Sequence, residues 1–446
     1  MSRASSAGLV FTVSVVLLLG GVTQGRAQLE GFEITDVARV WSGHPVNFAL
    51  ETVDDRQYVA FYDDERRMTV AMRSIDSSRW RFHRLPSKLG WDSHDDVVLA
   101  VDTAGFIHVS GNMHGDRLLY FRSRRAHDIS VFERPGMVGD REKHVSYPRF
   151  LQAPDGRLLF QYRDGKSGDG VQIFNEYDVR AKSWRRLLSE PLLDGDGRMS
   201  PYVSGPLLGP DGGFHLVWMW RDTPNGDTNH DISYARSADL SNWVSAAGEK
   251  LRLPLRPESV SAVIDPVPVA GGLAGIAFGL GWDTAGTPVV TYSKYDGEGK
   301  SQAYNARWEK GMWRVVQTSD WRYRWELGET GSLIADIVVR PLHTDFGGRL
   351  VQSFEHVRRG RGIWVLNPET LLPNEVLEPS TALRAIQAVE SGDPGMEVRE
   401  LIQDRTGEFF LRWETLPTNR DRKRRRPYPE ASMLRVYRRT TTGGGH

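Results

Sequence analysis

Seven times along this chain a strand-like run reaches a turn rich in Asp and Gly and continues as a second, more apolar strand. The turns are Asp54-Asp55, Asp102 to Gly105, Asp155-Gly156, Asp211-Gly212, Asp283 to Gly286, Asp345 to Gly348 and Asp404 to Gly407. The strands that follow them read YVAFY, FIHVS, RLLFQY, FHLVWMW, PVVTYSK, RLVQSF and EFFLRW. Their aromatic and β-branched residues at period two are what a pleated, half-buried surface selects. Third strands such as LLYFRS, QIFNEYD, ISYARS and QAYNARW come next. The repeat of about 50 to 75 residues is long for a four-stranded blade and implies extended loops.

No stretch carries a long helical period, and the best candidate, Ser380 to Val389, is short. These features predict an all-β chain, a seven-bladed β-propeller, with residues 32 to 41 closing the ring against the last blade. Two stacked sandwiches are the alternative. Two outer-strand turns fit the propeller: Ser237 to Trp243, a degenerate Asp-box, and Tyr177-Asp178 followed by Ser183-Trp184.

The ends and the charge narrow the setting. Arg3, the apolar run Gly8 to Gly21 and Gly25-Arg26-Ala27 before Gln28 read as a secretory signal peptide over residues 1–27. Residues 28–446 are then a single domain, with 440–446 expected to be disordered, in a protein secreted to the periplasm or beyond and without stable membrane insertion once the signal is cleaved. The chain has no cysteine, which excludes disulfides and thiolate metal sites. Its 57 basic and 57 acidic residues cancel, which argues against a general nucleic-acid surface. The one basic run, Arg420 to Arg426, has no interleaved aromatic residues and reads as a solvated loop.

The chemistry sits at equivalent points of the repeats. Residues ending the second strands are Asp63, His114, Arg163, Arg221, Lys294, His356 and Glu414; residues leading into first strands include His44, His94, Tyr147 and Tyr202. In a propeller both sets gather on the face around the central channel. The hairpin from WDSH (91 to 94) to GNMH (111 to 114) should bring His94 and His114 to one edge, because antiparallel pairing returns the chain to where it began. The densest group is therefore His94, His114, Tyr147, Arg163 and Arg221, with His44, Tyr202, Lys294 and His356 as further substrate-binding candidates.

Two imidazoles, a phenol and two guanidiniums do not make the paired carboxylates of a glycosidase. They suit β-elimination at a uronic acid. Arg or protonated His neutralises the carboxylate, which makes the C5 proton more acidic. A phenol or imidazole then removes that proton and returns one to the oxygen leaving C4. Tyr147 would need a cation such as Arg163 to lower its pKa.

A resemblance points the same way. WSGHPV (41 to 46), FYDDERRMTVA (61 to 71), LGWDSHDD (89 to 96), HVSGNMH (108 to 114), VSYPRF (145 to 150), YRDGKSGDG (162 to 170), HLVWMWRDTP (215 to 224), TNHDISYARS (228 to 237) and QAYNARW (302 to 308) resemble the BNR-4 repeat family. That family includes propeller-type ulvan lyases and the similar rhamnose-glucuronate lyases. The resemblance implies His94, His114, Tyr147 and Arg163 as catalytic residues and Arg221 as a substrate contact. Tyr147 would act as base and acid, and His114 and Arg163 would hold the carboxylate. His94 would assist, with the roles of Tyr147 and His94 open to exchange.

Where relatives often have cysteine, Gly115 and Gly226 stand here; where an Asn-aromatic pair is commoner, Asp95-Asp96 follow His94. No cofactor is expected to be required, although some relatives carry a structural metal, which leaves calcium or zinc open, with His230 as the one nearby ligand. The expected protein is a secreted, monomeric polysaccharide lyase acting on an anionic polysaccharide or oligosaccharide at glucuronate or iduronate linked to rhamnose. A sialidase-like glycoside hydrolase and a non-catalytic carbohydrate-binding propeller are the competing readings.

Overall fold

A computed structural model describes residues 26–29, 31–345, 347–399 and 402–440. Among these residues the chain is nearly all β, and the strands form seven sheets of four to six strands plus one of two. Each of the seven Asp/Gly turns joins two antiparallel strands of one sheet. The turn carboxylates explain why: Asp102 Oδ1 accepts from the backbone N–H groups of Ala104 and Phe106 at 2.9 Å each. Asp283 and Asp345 repeat the pattern. A short acceptor bonded to its own turn replaces the ladder that the chain leaves there.

Histidines within the second strands lock two of these turns to their third strands. His108 lies between Asp102 Oδ2 (3.1 Å) and the Tyr120 hydroxyl (2.7 Å); His215 lies between Asp211 Oδ1 (2.9 Å) and the Tyr234 hydroxyl (2.7 Å). Both are structural. The two outer-strand turns are also as read: Asp239 accepts from Ser241 and Asn242 ahead of buried Trp243, and Asp178 accepts from Arg180 and Ala181 ahead of buried Trp184. The short helix is Thr381–Gln387, capped by Ser380 Oγ. None of the described helices is long and apolar enough to cross a membrane.

Sheets adjacent in sequence pack face to face. One apolar cluster joins Phe48, Tyr58 and Phe61 to Val97 and Val109 and to Phe409 and Val436, so the first, second and last sheets share a core. Further clusters join the second sheet to the third, the third to the fourth, the fourth to the fifth and the fifth to the sixth. The last sheet is made from both ends of the chain, with Phe32–Val40 antiparallel to Ser432–Arg439 in the register Phe32↔Arg439. This is the closure expected for residues 32 to 41. The expected signal peptide lies outside the described residues except for Arg26 and Ala27, in a strand Arg26–Leu29 that pairs with the following one. Of 440–446 only Thr440 is described, its N–H donating to Gly31.

The closing sheet holds a buried ion pair. Arg412 and Glu414 have side chains 2% and 3% exposed. Arg412 also donates to the carbonyls of Ile386 and Ala388, while Glu414 accepts from the N–H groups of Glu390 and Ser391 at 2.8 and 2.9 Å. Glu414, one of the seven second-strand ends, is therefore spent on the fold, as is Asp63, which pairs with Arg84 at 2.6 Å. Removing one partner of a buried pair strands the other charge. Arg412→Met is expected to lower unfolding free energy by about 3–5 kcal/mol, read by urea denaturation, whereas Arg84→Met at the half-exposed pair changes it by less than about 1 kcal/mol.

Candidate active site

The strands Val97–Val101 and Ile107–Gly111 pair in the register Val97↔Gly111. His94 and His114, three residues beyond each end, meet with ring centroids 4.2 Å apart. What joins them is Asp92, which was not among the predicted residues. One carboxylate oxygen is 2.6 Å from His94 Nδ1 and the other 2.7 Å from His114 Nδ1. A signal existed: Asp92 stands two residues before His94, and its carboxylate also accepts the His94 backbone N–H at 2.9 Å, an Asx turn.

After Gly111 the chain crosses to the next sheet. The short strand His114–Asp116 pairs with Val145–Gln152, placing His114 opposite Ser146. The register of Val145–Gln152 slips between Ser146 and Arg149, and Tyr147 adopts φ +55°. A non-glycine residue in the left-handed region is held there by its surroundings, and here the bulge turns the phenol toward the histidines. Its ring centroid is 5.6 Å from that of His94 and 5.3 Å from that of His114.

Arg163 lies in the second strand of this sheet, Leu158–Lys166, opposite Ser146, and Arg221 ends the second strand of the next, Phe214–Arg221. The Arg163 guanidinium lies 4.8 Å from the Tyr147 ring and 5.4 Å from the Tyr202 ring, and that of Arg221 lies 4.0 Å from Tyr202. The two phenol rings are 6.0 Å apart. Tyr202 thus belongs to the cluster, with its hydroxyl 2.5 Å from Ser167 Oγ. Two glycines make room for the cations: a Cβ on Gly170 would crowd Arg163 and one on Gly275 would meet Arg221 Nη2. Arg221 Nε donates to Asn229 Oδ1 at 2.6 Å, and Asn229 is itself fixed by donating to the Leu273 carbonyl at 2.8 Å.

Arg163 differs. It is 2% exposed, Nη2 donates to Ser146 Oγ at 3.1 Å, and the buried Nε and Nη1 have no acceptor among the described residues.

The protonation states follow from these contacts. Burial would raise Asp92, but hydrogen bonds from His114 and His94 outweigh it and hold the carboxyl well below its usual range. Burial lowers both histidines; for His94 the bond to Asp92 and the charge of Asp421 reverse this, so its pKa is raised, whereas His114 stays lowered. An ionised carboxylate only accepts, so both Nδ1 atoms carry protons and neutral His114 keeps a lone pair on Nε2.

Among the phenols, burial raises Tyr147 and its neighbour Tyr202 adds to that, outweighing Arg163 and Arg221. Arg163 does act to lower Tyr147, as expected of a neighbouring cation, but the net direction is upward. It is Tyr202 that is lowered: burial opposes, but Arg221 and then Arg163 prevail, because this ring lies against both guanidiniums.

The other predicted contacts stand apart from this cluster. His44 is 1% exposed, accepts from Trp41 Nε1 at 2.9 Å and is lowered to about 4 by burial and Arg66, so it is a neutral part of an aromatic wall. Lys294 is spent on Asp265 at 2.6 Å. His356 is buried beside Trp321 and Tyr323 and accepts the Arg358 N–H. Asp96 is a tether, accepting from Asn47 N at 2.6 Å and Nδ2 at 2.8 Å. Asp95 is raised to about 7 by burial and by Asp92 and Asp116.

For a metal, Asp92, His94 and His114 present three ligand atoms within 4.8 Å of one another, the one such grouping among the described residues. The structural zinc implied by the resemblance has no fitting donors: glycines stand at 115 and 226, and both ring nitrogens of His230 are taken, by Asp231 (2.9 Å) and Asp222 (3.0 Å).

Fold and site together define a nearly all-β repeat protein in which His94, His114, Tyr147, Tyr202, Arg163 and Arg221 gather in one polar cluster. The model of the BNR repeat-containing family matches residues 56–321, and the chain belongs to that family. Among curated proteins it is 26% identical over 155 residues to the short isoform of ulvan lyase from Alteromonas sp. (strain LOR), covering 32% of this chain and 29% of that protein. It is 24% identical over 131 residues to the long isoform from Pseudoalteromonas sp. (strain PLSV), covering 27% and 13%. The matches thus span less than a third of each relative.

Among solved structures, a PL25 ulvan lyase superposes with TM-score 0.60 at 14% identity, over 90% of this chain and 94% of that one, and the same values hold for its form bound to -[GlcA(1-4)Rha3S]-. The polysaccharide lyase Uly1 gives 0.57 at 13%, over 93% and 94%. The nearly all-β fold is shared with these propeller structures.

His230 yields a stability prediction. Burial lowers its pKa, but Asp231 and Asp222 reverse this, so the folded value lies above 6.5. A raised histidine contributes stability that is complete below its unfolded pKa and is lost as pH rises through the folded one. The destabilisation caused by His230→Gln is expected to be largest near about pH 5.5 and to shrink toward about pH 9, measured by urea denaturation across that range.

Proposed function

We propose that this protein is a polysaccharide lyase that cleaves the bond at C4 of a uronic acid, glucuronate or iduronate linked to rhamnose, by β-elimination. The observation that carries this reading is Arg163: a buried guanidinium with Nε and Nη1 lacking acceptors. A buried cation short of acceptors is costly, and a guanidinium pairs with a carboxylate through charge-assisted hydrogen bonds. The ulvan lyase relatives and the ligand-bound neighbour support a uronate as the source of that carboxylate.

With the carboxylate on Arg163, negative charge developing at C5 is stabilised through it. Tyr202, the more acidic phenol, takes the C5 proton. Tyr147, which holds its proton more tightly, donates to the oxygen leaving C4. His94, raised and fixed by Asp92, adds a second donor, and His114 supports Tyr147 from the other side. A glycosidase would want two free carboxylates flanking the bond, and Asp92 is spent on both histidines. No metal enters these steps. The wider proposal is an exported monomer whose seven sheets are the seven blades of a propeller.

Incubation with uronic-acid polysaccharides is expected to yield an unsaturated uronate seen as rising ultraviolet absorbance, unchanged by EDTA; hydrolysis without that absorbance would sink the lyase reading. Arg163→Met should lower kcat/KM by about 10²-fold or more, the scale of losing one charge-stabilising donor. The phenol roles separate in deuterium oxide. Tyr147→Phe should still exchange the C5 hydrogen while failing to release product, and Tyr202→Phe should do neither. The reverse pattern would exchange the two assignments. Activity should also rise with pH as Tyr202 loses its proton, and Tyr202→Phe should remove that limb.

A further inference from the structure

The basic run near the end of the chain was read as a solvated loop, and its anchoring gives it a different meaning. Residues 417–427 lie outside the segment that the family model matches. Asp421 reaches back to the site: its carboxylate accepts from Ser93 N at 2.9 Å, the residue next to His94, and from Ser332 N at 2.8 Å and Ser332 Oγ at 2.5 Å. Its charge is among those that raise His94. Arg420 pairs with Glu329 on the same neighbouring loop. Arg420 and Asp421 both occupy the left-handed region, at φ 60° and 59°. Two consecutive non-glycine residues persist there only when their surroundings hold them.

The other end of the loop is also fixed. Arg426 lies 5.6 Å from the Tyr428 ring, and Tyr428 packs on Trp41 at 5.3 Å and on Trp91 at 5.5 Å. Trp91 immediately precedes Asp92.

Arg422, Lys423 and Arg425 between these anchors, and Arg426 at the second one, are exposed. None pairs with a carboxylate among the described residues: Asp421 is occupied by its three donors, and Glu430 faces Arg39. Arg424 is turned inward, donating to the Pro417 carbonyl. A chain spans at most about 3.6 Å per residue, so the Cα atoms of these residues stay within roughly 18 Å of that of Asp421, whose carboxylate holds Ser93. In a protein with 57 residues of each sign, four unpaired cations held beside the site form a local attractive field.

We propose that this loop is an anion-binding arm, which takes acidic groups on sugar units outside the one whose carboxylate Arg163 holds. The identity of the polymer rests on the lyase reading; the arm's preference for a polyanion does not. Carboxylates and sulfate esters share the chemistry that such cations recognise. Nucleic acid fits less well, since no aromatic side chain interrupts the basic run to stack a base.

The test is affinity electrophoresis of the full chain carrying Tyr147→Phe, so that the matrix is not consumed. The gels contain polyglucuronate, dextran sulfate, neutral dextran or no polymer. The arm variant replaces Arg422, Lys423, Arg425 and Arg426 by Ser, and a charge-keeping variant carries Arg422→Lys, Arg425→Lys and Arg426→Lys. The starting protein and the charge-keeping variant should be retarded by polyglucuronate, by dextran sulfate or by both, and not by dextran. The arm variant, with an unchanged melting temperature, should lose at least tenfold in apparent affinity and much of its salt dependence. Which gel retards identifies carboxylate or sulfate as the anion.

Arg163→Met should keep the arm-dependent part of the retardation even though it removes the proposed catalytic carboxylate contact. Equal retardation of arm variant and parent, complete loss with Arg163→Met alone, or binding to duplex DNA without binding to either polysaccharide would overturn the arm. Failure to detect an unsaturated uronate, with arm-dependent retardation intact, would overturn the lyase reading and leave the arm standing.

Discussion

A guanidinium withdrawn from water with two donors unspent is the constraint around which this face is arranged. Arg163 donates to Ser146 through Nη2, and its buried Nε and Nη1 have no acceptor among the described residues. Desolvating a charge without a partner is costly, so the surrounding structure must hold the side chain in place. It does so with Gly170, which leaves space for the stem, and with two phenol rings whose faces lie beside the cation. In the proposed reaction the substrate carboxylate meets a cation oriented before it arrives, the preorganisation on which electrostatic catalysis depends.

The same placement separates the two phenols. They are chemically identical, yet Tyr202 lies against both guanidiniums while Tyr147 lies against one and next to Tyr202. Burial raises both, and only the doubly solvated charge of Tyr202 overcomes it. Two groups whose environments push their pKa values apart are suited to opposite proton roles. Asp92 applies the same logic to the histidines: one carboxylate bridges two imidazoles, and only His94 also feels Asp421.

Much of this was legible in the sequence, and the reason is the repeat. Period-two alternation and Asp/Gly turns fix where hairpins reverse, and antiparallel pairing then dictates that His94 meets His114. The crossing of His114 to pair with Ser146 brings Tyr147 into reach, and the strand beside it and the next sheet bring Arg163, Tyr202 and Arg221. Repeat equivalence places a residue at a strand end but says nothing about its partner. Lys294 and His356 occupy the same repeat position as Arg163, yet one is neutralised by Asp265 and the other is enclosed by Trp321 and Tyr323. His44 was drawn into the aromatic wall by Trp41. Those pairings join residues distant in sequence or hidden by burial, which periodicity does not encode.

Asp92 and Asp421 show what pattern reading passes over. Each is a surface-type residue in a turn or a charged run, and each matters because its carboxylate reaches a second segment: Asp92 spans 22 positions to His114 and Asp421 spans 328 to Ser93. The sharing of one sheet by both ends of the chain makes such contacts natural. A loop beside the C-terminal strand is thereby brought next to the early hairpin that carries the histidines. The pairing of the two ends therefore does two things at once: it joins the first, second and last sheets in one core and sets a late, basic segment beside the early hairpin that carries His94 and His114. A loop can then be tuned in charge or length without disturbing the sheets, because its backbone is not part of any ladder. The cations and phenols near the strand ends have no such freedom, because the register of the sheets sets their positions.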